Sequence, residues 1–484
     1  MASAQTTAPQ NRLIDPGSPS PGAPPNIQDD PQRVRDMQKQ LQEAGVEYCY
    51  ASYVDIHGVP KAKCVPIGKF HKMCAGSELF TVGAMEGMGL AGPHEDECAV
   101  VPDLDTATIL PWASNRAWFT GQLYHHGEPY PNDSRVLLKR MVDRAAQKGY
   151  RVNLGFEPEF YVLRENEGGG YRTLSDTYYG LCPAYDVYAT EQAMPYLERM
   201  RSYMDALGWN VYSFDQEGGH GQYEFDFGFT DILTGSDQFV LFRLMAKQTA
   251  AEIGGHATFM PKPFPNDFRS GAHFNISLED VETGQNVFAP GDKPDSMAEK
   301  YGINFSRAAF NCAAGMLRHA NALTALTCPR FNSYQGLIAQ GDMPDQSWAP
   351  VIIAYGSNNR SSMLRLPANR YCIENRAPDM SCNPYLAAAF HIAAALEGLE
   401  HDMDPGHPVN ENAYKLTGMS MREQREALLP KTMLHALEAF DDDPLTREVF
   451  GEFKDIFLKQ KLGEWDSAYY QVTEEQRRGE LWFI

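Results

Sequence analysis

The stretch NLGFEPEF (residues 153–160) places Glu157 and Glu159 two positions apart in an otherwise apolar segment. Side chains alternate between the two faces of an extended strand, so both carboxylates are predicted to share one face, with Phe156 and Phe160 on the other. Two carboxylates this close repel each other, and burial without compensation would raise the pKa of one of them. The stretch therefore predicts a strand whose acidic face is either exposed to solvent or binds a positively charged group.

The composition restricts the classes of partner. The chain has 484 residues, 43% of them hydrophobic, and a formal net charge of −21. That length predicts two domains, or one large domain with a smaller companion. Because nucleic acids and membrane surfaces are anionic, a chain this acidic is expected to bind neither, and a small-molecule substrate fits better.

The cysteines and the N-terminus indicate the compartment. Nine cysteines are an odd count with no CxxC pair, which predicts neither a disulfide framework nor a structural zinc site. The N-terminus lacks a charged segment followed by an apolar core, and no apolar run approaches membrane-spanning length. These features predict reduced thiols and a cytoplasmic protein that does not cross a membrane.

The composition along the chain predicts a tail and two domains. Residues 1–30 are rich in Pro, Ser, Ala and Gly and are expected to form a flexible extension. Residues 31–134 contain a predicted amphipathic helix (34–46) and a hairpin around the turn His57-Gly58, and they end in a stretch punctuated by prolines. Residues 135–484 form the predicted larger domain.

Helices and strands alternate irregularly in the larger domain. A helix is predicted from Ser134 as its cap to Gly149 as its stop. Further strands are predicted at 151–163, 210–228 and 271–279, and further helices at 190–207, 236–253, 296–327, 384–399 and 440–465. Because there is no strict βαβ rhythm and no GxGxxG or GxxxxGK[ST] loop, the pattern favours an α+β fold.

Three further segments contain candidate metal ligands and arginines that could bind phosphate. The segments are DQEGGHGQYEF with Glu217 and Glu224, RSGAHFNISL with His273, Asn275 and Ser277, and NNRSSMLRLPANRYCIENRAPD with Arg360, Arg365, Glu374 and Arg376. Carboxylates and an imidazole on short extended segments are ligands of divalent cations, and arginines hold phosphate or carboxylate oxygens in two places. Together they predict Mg²⁺ or Mn²⁺ ions holding a nucleotide polyphosphate.

Each of these features has a simpler interpretation when taken alone. Paired acids usually form a solvated strand face, a single histidine such as His273 is usually a hydrogen-bonded core residue, and Arg360 and Arg365 would usually form surface ion pairs. The metal site is favoured because the features occur together.

These segments resemble the glutamine synthetase family over most of the chain from about residue 34. The matching motifs are EPEF (157–160), GQYE (221–224), MPKPF (260–264), NRSSMLRLP (359–367) and IENRAPDMSCNPYLAAA (373–389). The resemblance implies an N-terminal β-grasp domain (31–134) and a catalytic domain (135–484) with an antiparallel sheet flanked by helices. It also implies homo-oligomeric rings, with a dodecamer expected, whose active sites lie between subunits.

The resemblance also assigns roles to individual residues. Glu159, Glu217 and Glu224 resemble the ligands of a first metal ion, and Glu157, His273 and Glu374 those of a second. The residues expected to bind ATP are Asn275, Ser277, Arg360 and Arg365. The residues expected to bind the substrates are Glu159, His273, Trp348 and Arg376. Arg360 and Arg376 resemble catalytic arginines at the phosphates, and Asp55 resembles the aspartate that crosses the subunit interface to bind ammonium and take its proton.

The family's reaction is an ATP-dependent ligation. The γ-carboxylate of glutamate attacks the terminal phosphate of ATP, giving γ-glutamyl phosphate and ADP, and an amine then attacks the acyl phosphate. Because the amine must be neutral to attack, a carboxylate such as Asp55 is needed to take its proton.

Three departures from the family pattern bear on the substrate. Trp348, in SWAP, replaces a flap glutamate that contributes to ammonium binding, although Asp342 or Asp345 could fill that role after a local shift. Gly336, in NSYQGL, replaces the arginine for the substrate α-carboxylate, for which Arg269 could substitute. Asn275 replaces the second histidine of HxH.

Because an indole suits an alkylated amine better than bare ammonium, we expect a glutamate–amine ligase of amine metabolism that makes γ-glutamylmethylamide, with glutamine synthetase as the alternative.

Two other classes stay open at the level of the sequence. A catalytically inactive relative that acts as a binding or structural protein is disfavoured because all six predicted metal ligands are retained. An ATP–guanido phosphotransferase is disfavoured because it offers no reason for EPEF and GQYE. Tyr414 falls where some family members are adenylylated, although a tyrosine there is more often a packed or exposed aromatic.

Overall fold

The structure, a computed structural model, describes residues 30–481 apart from 86, 91, 176–181, 266, 338–347 and 416–420. Its helices are α1 (Pro31–Glu43), α2 (Phe70–Cys74), α3 (Ser134–Gln147), α4 (Val187–Ala206), α5 (Ile232–Glu252), α6 (Ser296–Tyr301), α7 (Arg307–Arg318), α8 (Ala320–Thr327), α9 (Pro384–Glu400), α10 (Met421–Ala427), α11 (Met433–Asp442), α12 (Pro444–Phe450), α13 (Phe453–Tyr469) and α14 (Glu474–Glu480). The tail 1–29, with its predicted flexibility, and the alternative acids Asp342 and Asp345 lie outside the described residues.

The strands follow the same chain order. They are β1 (Tyr48–Val54), β2 (Pro60–Pro66), β3 (Leu79–Phe80), β4 (Cys98–Pro102), β5 (Thr108–Ile109), β6 (Arg116–His125), β7 (Glu128–Pro129), β8 (Tyr150–Glu165), β9 (Tyr171–Thr173), β10 (Val211–Gln216), β11 (Gln222–Phe227), β12 (Thr230–Asp231), β13 (His256–Thr258), β14 (Ala272–Asp280), β15 (Ile352–Ser357), β16 (Ser362–Leu366) and β17 (Ile373–Asn375). Helices and strands mix as an α+β fold, as the sequence predicted.

The strands of the first part of the chain form one sheet in the order β2-β1-β6-β4-β3, with β5 and β7 also paired to β6. β1 and β2 are the antiparallel hairpin predicted around His57-Gly58, and β1 pairs with β6 in parallel. Alternate residues of β1 and β6 pack against α1 and α2. The resulting core includes Phe70 and Phe119. The domain boundary at residue 134 stays a prediction.

The second sheet carries the segments singled out by the sequence. Its strands run in the order β10-β11-β8-β14-β17-β16-β15, with β9, β12 and β13 also paired to β8. The face of β8 that holds Phe156 and Phe160 packs against α5, where the ring centroids of Phe156 and Phe239 are 5.0 Å apart and those of Phe160 and Phe242 are 5.5 Å apart. This packing leaves Glu157 and Glu159 together on the opposite face, as the alternation predicted.

The structure corrects three predicted helices. The cap of α3 is Asp133 rather than Ser134, because the Asp133 carboxylate accepts from the backbone N–H groups of Arg135 and Val136. The helix predicted at 296–327 is three helices, since Gly302 ends α6 in the left-handed conformation (φ 67°) and His319 separates α7 from α8. The helix predicted at 440–465 is the end of α11, then α12 and α13, because Pro444 begins one helix and Gly451 (φ 56°) ends it.

No helix in the described part of the chain has both the length and the apolar character needed to cross a membrane. All nine cysteines carry free thiols, which agrees with the prediction that they form no disulfide.

The buried His319 imidazole connects five helices: α7, α8, α9, α11 and α12. Its ring Nδ1 lies 2.7 Å from Asp443 Oδ2, between α11 and α12, and its Nε2 contacts Glu397 of α9. Burial opposes the charged form of this histidine, yet the hydrogen bonds with Asp443 and Glu397 prevail and raise its pKa.

We therefore expect His319 to make stability depend on pH. Replacing His319 by glutamine should lower the free energy of unfolding by roughly 1.5–3 kcal/mol at low pH, the usual contribution of hydrogen bonds to charged groups. Because the folded-state pKa lies above the ordinary 6.5, this loss should be full below pH 6.5 and should shrink as the pH rises through the folded-state pKa. Denaturant unfolding of both proteins across pH measures it, with the exposed His401→Gln variant as the control. A difference that grows with pH would contradict this role.

Candidate active site

The acidic segments converge because their strands are neighbours in register. Glu157 on β8 lies opposite His273 on β14, and Glu159 lies opposite Glu224 on β11. Glu374 on β17 lies opposite Asn275 on β14 on one side and Arg365 on β16 on the other. Directly opposed residues in antiparallel strands point to the same face. The sheet therefore collects side chains that are distant in sequence on the face that carries EPEF.

Two groups of three side chains on this face have the spacing of metal ligands. Ligand atoms of Glu157, His273 and Glu374 all lie within 4.8 Å of one another, and so do those of Glu159, Glu224 and His273. Five of the six predicted metal ligands therefore meet, and His273 is shared by both groups. Glu217, the sixth, follows β10 and lines the same cavity, with its carboxylate accepting from the Gly218 N–H at 2.9 Å.

His273 connects the two groups directly. Its Nδ1 is 3.1 Å from Glu157 Oε2 and its Nε2 is 3.4 Å from Glu159 Oε1. Glu159 also accepts from the Gly271 N–H at 2.7 Å and from the Gln222 amide at 3.2 Å. These donors fix the carboxylate without supplying a full positive charge.

The charges on this face are separated into two regions. At one end, Glu374 is fully buried between Arg365 and Arg376, each 2.6 Å away, and Arg370 reaches Glu157 at 2.9 Å. At the other end stand the acidic side chains of Glu159, Glu217, Glu224, Asp215 and Asp226. Glu159 is buried and the other four acids of this second region are partly buried; the ionisable partner described above is His273, which contacts Glu159. Carboxylates grouped out of water need a positive partner.

The pKa values reflect this separation. Burial opposes ionisation of Glu157, but His273 and Arg370 outweigh it and lower its pKa to about 2. Burial likewise opposes ionisation of Glu374, and Arg376 prevails, so its pKa is lowered. In the acidic region, burial raises the pKa of Glu159, with Glu217 adding to it, and raises the pKa of Glu224 well above its usual range, with repulsion from Glu157 and Glu159 adding to it. Asp215 is raised to a pKa of about 7 by burial and by Glu217.

The donor set fits divalent cations. Burial and repulsion between the carboxylates raise the pKa of Glu159 and of Glu224, and at Glu159 they outweigh the opposing effect of His273 and Arg376. Carboxylate oxygens are the ligands that Mg²⁺ and Mn²⁺ prefer in proteins, and five of the six predicted ligands are carboxylates. Glu159, Glu217 and Glu224 would hold one ion, and Glu157, His273 and Glu374 another.

A cavity of about 560 Å³ opens over this face. Its lining includes Arg360, Arg365, Arg370 and Arg376, the acids of the second region, Tyr185 and Trp348. Trp348 is 54% exposed and has a left-handed backbone (φ 47°), which is rare for a bulky residue. Its carbonyl oxygen is 3.5 Å from the Arg376 guanidinium that donates to it. A cavity that joins an arginine cluster to an acid cluster can hold a polyphosphate beside a cationic or amine group.

Some predicted residues lie elsewhere. Asp55 is outside the lining of this cavity, in the turn between β1 and β2, where its carboxylate accepts from the N–H groups of His57 and Val59 at 2.9 Å each and lies 3.2 Å from Lys61 Nζ. Ser277 is buried opposite Asn153, away from the cavity lining. The Tyr414 hydroxyl donates to the Ala349 carbonyl, next to Trp348. The roles predicted for these three residues stay predictions.

The sequence analysis missed several residues of this face. Arg370 is i−4 to Glu374 and contacts Glu157, Asn275 and Glu374. Gln222 shares a strand face with Glu224, a spacing of two that could have identified it. Asp215 and Tyr185 belong to the cavity through pairing and loop packing, for which the sequence has no short-range signal.

Gly336 and Arg269 are packed against each other. A Cβ atom at Gly336 would lie 2.6 Å from Cδ and 2.9 Å from Cβ of Arg269, so the stem of Arg269 takes the space of a side chain at 336. Arg269 is 4% exposed, lines the cavity, and donates to the Ala377 carbonyl, while its Nε has no hydrogen-bond partner among the described residues.

Comparison with known proteins places this site in a family. Residues 131–479 match the family model described as glutamine synthetase, catalytic domain. The glutamate–methylamine ligase of Methyloversatilis universalis is 37% identical over 454 residues, which are 93% of this chain and 99% of that protein. The glutamine synthetase of Rhizobium meliloti is 34% identical over 449 residues, 92% of this chain and 99% of that protein. A solved complex of GmaS with ADP superimposes with a TM-score of 0.83 at 31% identity, covering 92% of this chain and 99% of that one.

Proposed function

The chain belongs to the glutamine synthetase family, and from that membership we propose that it is an ATP-dependent carbon–nitrogen ligase that joins the γ-carboxylate of L-glutamate to a primary amine such as methylamine. The observation that carries the proposal is the cavity whose lining combines the arginine cluster, the acidic region and Trp348. The similarity to a glutamate–methylamine ligase supports the choice of amine. Glutamine synthetase, with ammonium as the acceptor, is the second candidate because other relatives carry that activity.

The proposed first step transfers the terminal phosphoryl group of ATP to glutamate. Arg360 lies at the cavity wall, and its backbone carbonyl accepts from Arg376 Nε at 3.1 Å, which fixes the two residues relative to each other. Both would bind phosphoryl oxygens, and Arg365 would assist from the nucleotide side, with Asn275 and Ser277 as the further ATP-binding positions. Mg²⁺ or Mn²⁺, when bound by the two ligand groups, would neutralise charge on the phosphates during transfer.

The second step is attack of a neutral amine on γ-glutamyl phosphate. The departing ammonium proton needs a carboxylate, and Asp55 of the partner subunit is the proposed acceptor, because Asp55 of the same chain lies outside the cavity lining. Completion of the site therefore requires a ring of subunits, for which a dodecamer is proposed. Glu159 and His273, within reach of each other beside the cavity, would contact the substrate amino acid.

The glutamate α-carboxylate needs a cation, and we assign that role to Arg269. The family arginine is absent at Gly336, and the stem of Arg269 occupies the space that this glycine leaves. The unpaired Nε of a buried guanidinium that lines the cavity can donate to a carboxylate oxygen. Arg269 thus replaces the missing arginine from the neighbouring loop.

The proposal includes three further properties of the chain. The parallel pairing of β1 with β6, with α1 and α2 packed on the sheet, supports a β-grasp domain in residues 31–134. The predicted reduced thiols support a cytoplasmic location. Tyr414, whose hydroxyl donates to the Ala349 carbonyl, is the proposed place for any covalent modification.

An amine panel tests the proposal. ADP release measured with glutamate, ATP and either ammonium or a series of primary amines should give the higher kcat/KM for methylamine. The variant Trp348→Glu, which restores the family's acid, should lower kcat/KM for methylamine about tenfold and raise it for ammonium, because a cation–π contact contributes about 1–2 kcal/mol. An ammonium preference in the unaltered enzyme would reject the amine assignment in favour of glutamine synthetase. Absence of ADP release with every amine would reject both.

A further inference from the structure

A second set of metal-ligating side chains lies on the seven-stranded sheet, apart from the catalytic cavity. Asp96 precedes β4, His125 is the last residue of β6, and His126 begins the turn into β7. A ligand atom from each of the three lies within 4.8 Å of those of the other two. The proposed reaction uses none of these side chains.

The backbone conformation brings the two imidazoles together. Neighbouring side chains in a strand point to opposite faces, so a His-His pair in a regular strand cannot converge on one ion. Here His126 has φ 51° and Gly127 has φ 83°, while His125 pairs with Glu128 across the turn. This two-residue hairpin turn brings the ring of His126 back, and the two ring centroids are 3.9 Å apart.

Two ring nitrogens of this pair make no strong hydrogen bond within the described residues. His125 Nε2 is buried and has no hydrogen-bond partner among the described residues. His126 Nε2 is 3.5 Å from Asp96 Oδ2, too long for a strong hydrogen bond. Buried polar atoms are normally paired, so an unpaired imidazole nitrogen beside a second imidazole and a carboxylate is suited to bind a metal ion.

We propose that Asp96, His125 and His126 bind a divalent transition-metal ion, with Zn²⁺ as the best match. Two imidazoles and one carboxylate are a common zinc ligand set, which leaves a fourth position for water. Mg²⁺ prefers oxygen ligands, so this site and the catalytic carboxylates select different ions.

A metal ion here would fasten a long loop. Asp96 belongs to the segment between β3 and β4, and Tyr130, just after β7, donates to the Met88 carbonyl in the same segment. Gly83 and Leu90 of that segment line a groove of about 1420 Å³ that also involves α5 and α13. The ion would join the β6–β7 hairpin to this loop at a second point and so limit its movement over the groove.

Zinc titration of the full-length, tag-free protein tests the proposal. Calorimetry with Zn²⁺ in millimolar Mg²⁺ should show that the unaltered protein binds one zinc ion per chain tightly. His126→Asn should bind this ion more than about tenfold more weakly, since even loss of a residue that supports a metal ligand lowers metal affinity about 10–100-fold. Asparagine is favoured at this turn position, so the variant is expected to fold at least as well. His94→Asn, which removes an exposed histidine from the same segment, should bind zinc as the unaltered protein does.

Two further readouts separate this site from the catalytic one. Zn²⁺ should raise the Tm of the unaltered protein but not that of His126→Asn. The variant Glu224→Gln, which is altered in the catalytic cavity, should still bind one zinc ion tightly. Unchanged zinc affinity in His126→Asn would overturn the proposal, and so would loss of the tight zinc binding in Glu224→Gln alone. These results do not depend on whether the protein uses methylamine or ammonium.

Discussion

Glu224→Gln is expected to reduce amide formation by at least about a hundredfold while making the metal-free protein more stable. The loss follows because a catalytic metal ion contributes several kcal/mol of charge stabilisation, equivalent to two or more orders of magnitude in rate. The gain in stability follows because Glu224 is buried among Glu157, Glu159 and Glu217, and its pKa is raised well above the usual range. A neutral amide of the same shape removes that repulsion.

Opposite signs for activity and stability distinguish a ligand from a structural residue. Without divalent ions, the Tm of Glu224→Gln should exceed that of the unaltered protein, and the rise in Tm on adding Mg²⁺ or Mn²⁺ should be smaller. Glu374→Gln is the contrasting variant, because Arg365 and Arg376 each lie 2.6 Å from that carboxylate and would lose their countercharge. It should lose both activity and stability. Full activity in Glu224→Gln would remove this residue from the metal site.

Arg269→Gln is expected to raise the KM for glutamate far more than the KM for ATP or the amine. Removing one partner of a buried charge pair costs about 2 kcal/mol or more, equivalent to roughly a thirtyfold change. Gly336→Ala should act in the same direction, since its Cβ would lie 2.6 Å from Arg269 Cδ and force the guanidinium to move. Initial-rate kinetics with each substrate varied in turn measure the effect.

The reciprocal double variant is the control for this assignment. Arg269→Gly combined with Gly336→Arg returns the cation to the position that the family uses, and it should recover much of the glutamate affinity that Arg269→Gly loses. Circular dichroism and the subunit count of each variant show whether the fold is intact. Equal loss of affinity for all three substrates in Arg269→Gln would indicate a structural role through its contact with Asp379, 3.7 Å away, instead of substrate binding.

The local features of the fold could be predicted because they depend on neighbouring residues. The shared face of Glu157 and Glu159 and the turn at His57-Gly58 follow from the period of a strand and from glycine's freedom at positive φ (Gly58, φ 70°). The breaks at Gly302 and Gly451 were missed because apolar periodicity continued across them. A glycine in a helical pattern does not always end the helix.

The carboxylates and the histidine that meet on this face were predicted from the sequence, but their complete surroundings were not. Family motifs identified the carboxylates, whereas their register across β11, β8, β14 and β17 is a property of the folded sheet. Arg370 and Asp215 join the face through contacts between distant segments, which one sequence does not reveal. Arg269 was suggested by the sequence as the substitute cation, but its close packing against Gly336 is a contact between distant segments that only the folded structure reveals.

Anomalous X-ray scattering from crystals grown with Mn²⁺ and a non-hydrolysable ATP analogue tests the central claim most directly. The account predicts one manganese peak bounded by Glu157, His273 and Glu374 and another bounded by Glu159, Glu217 and Glu224, with the nucleotide phosphates facing Arg360. Manganese and phosphates found elsewhere, with the acidic region left as a solvated strand face, would contradict it.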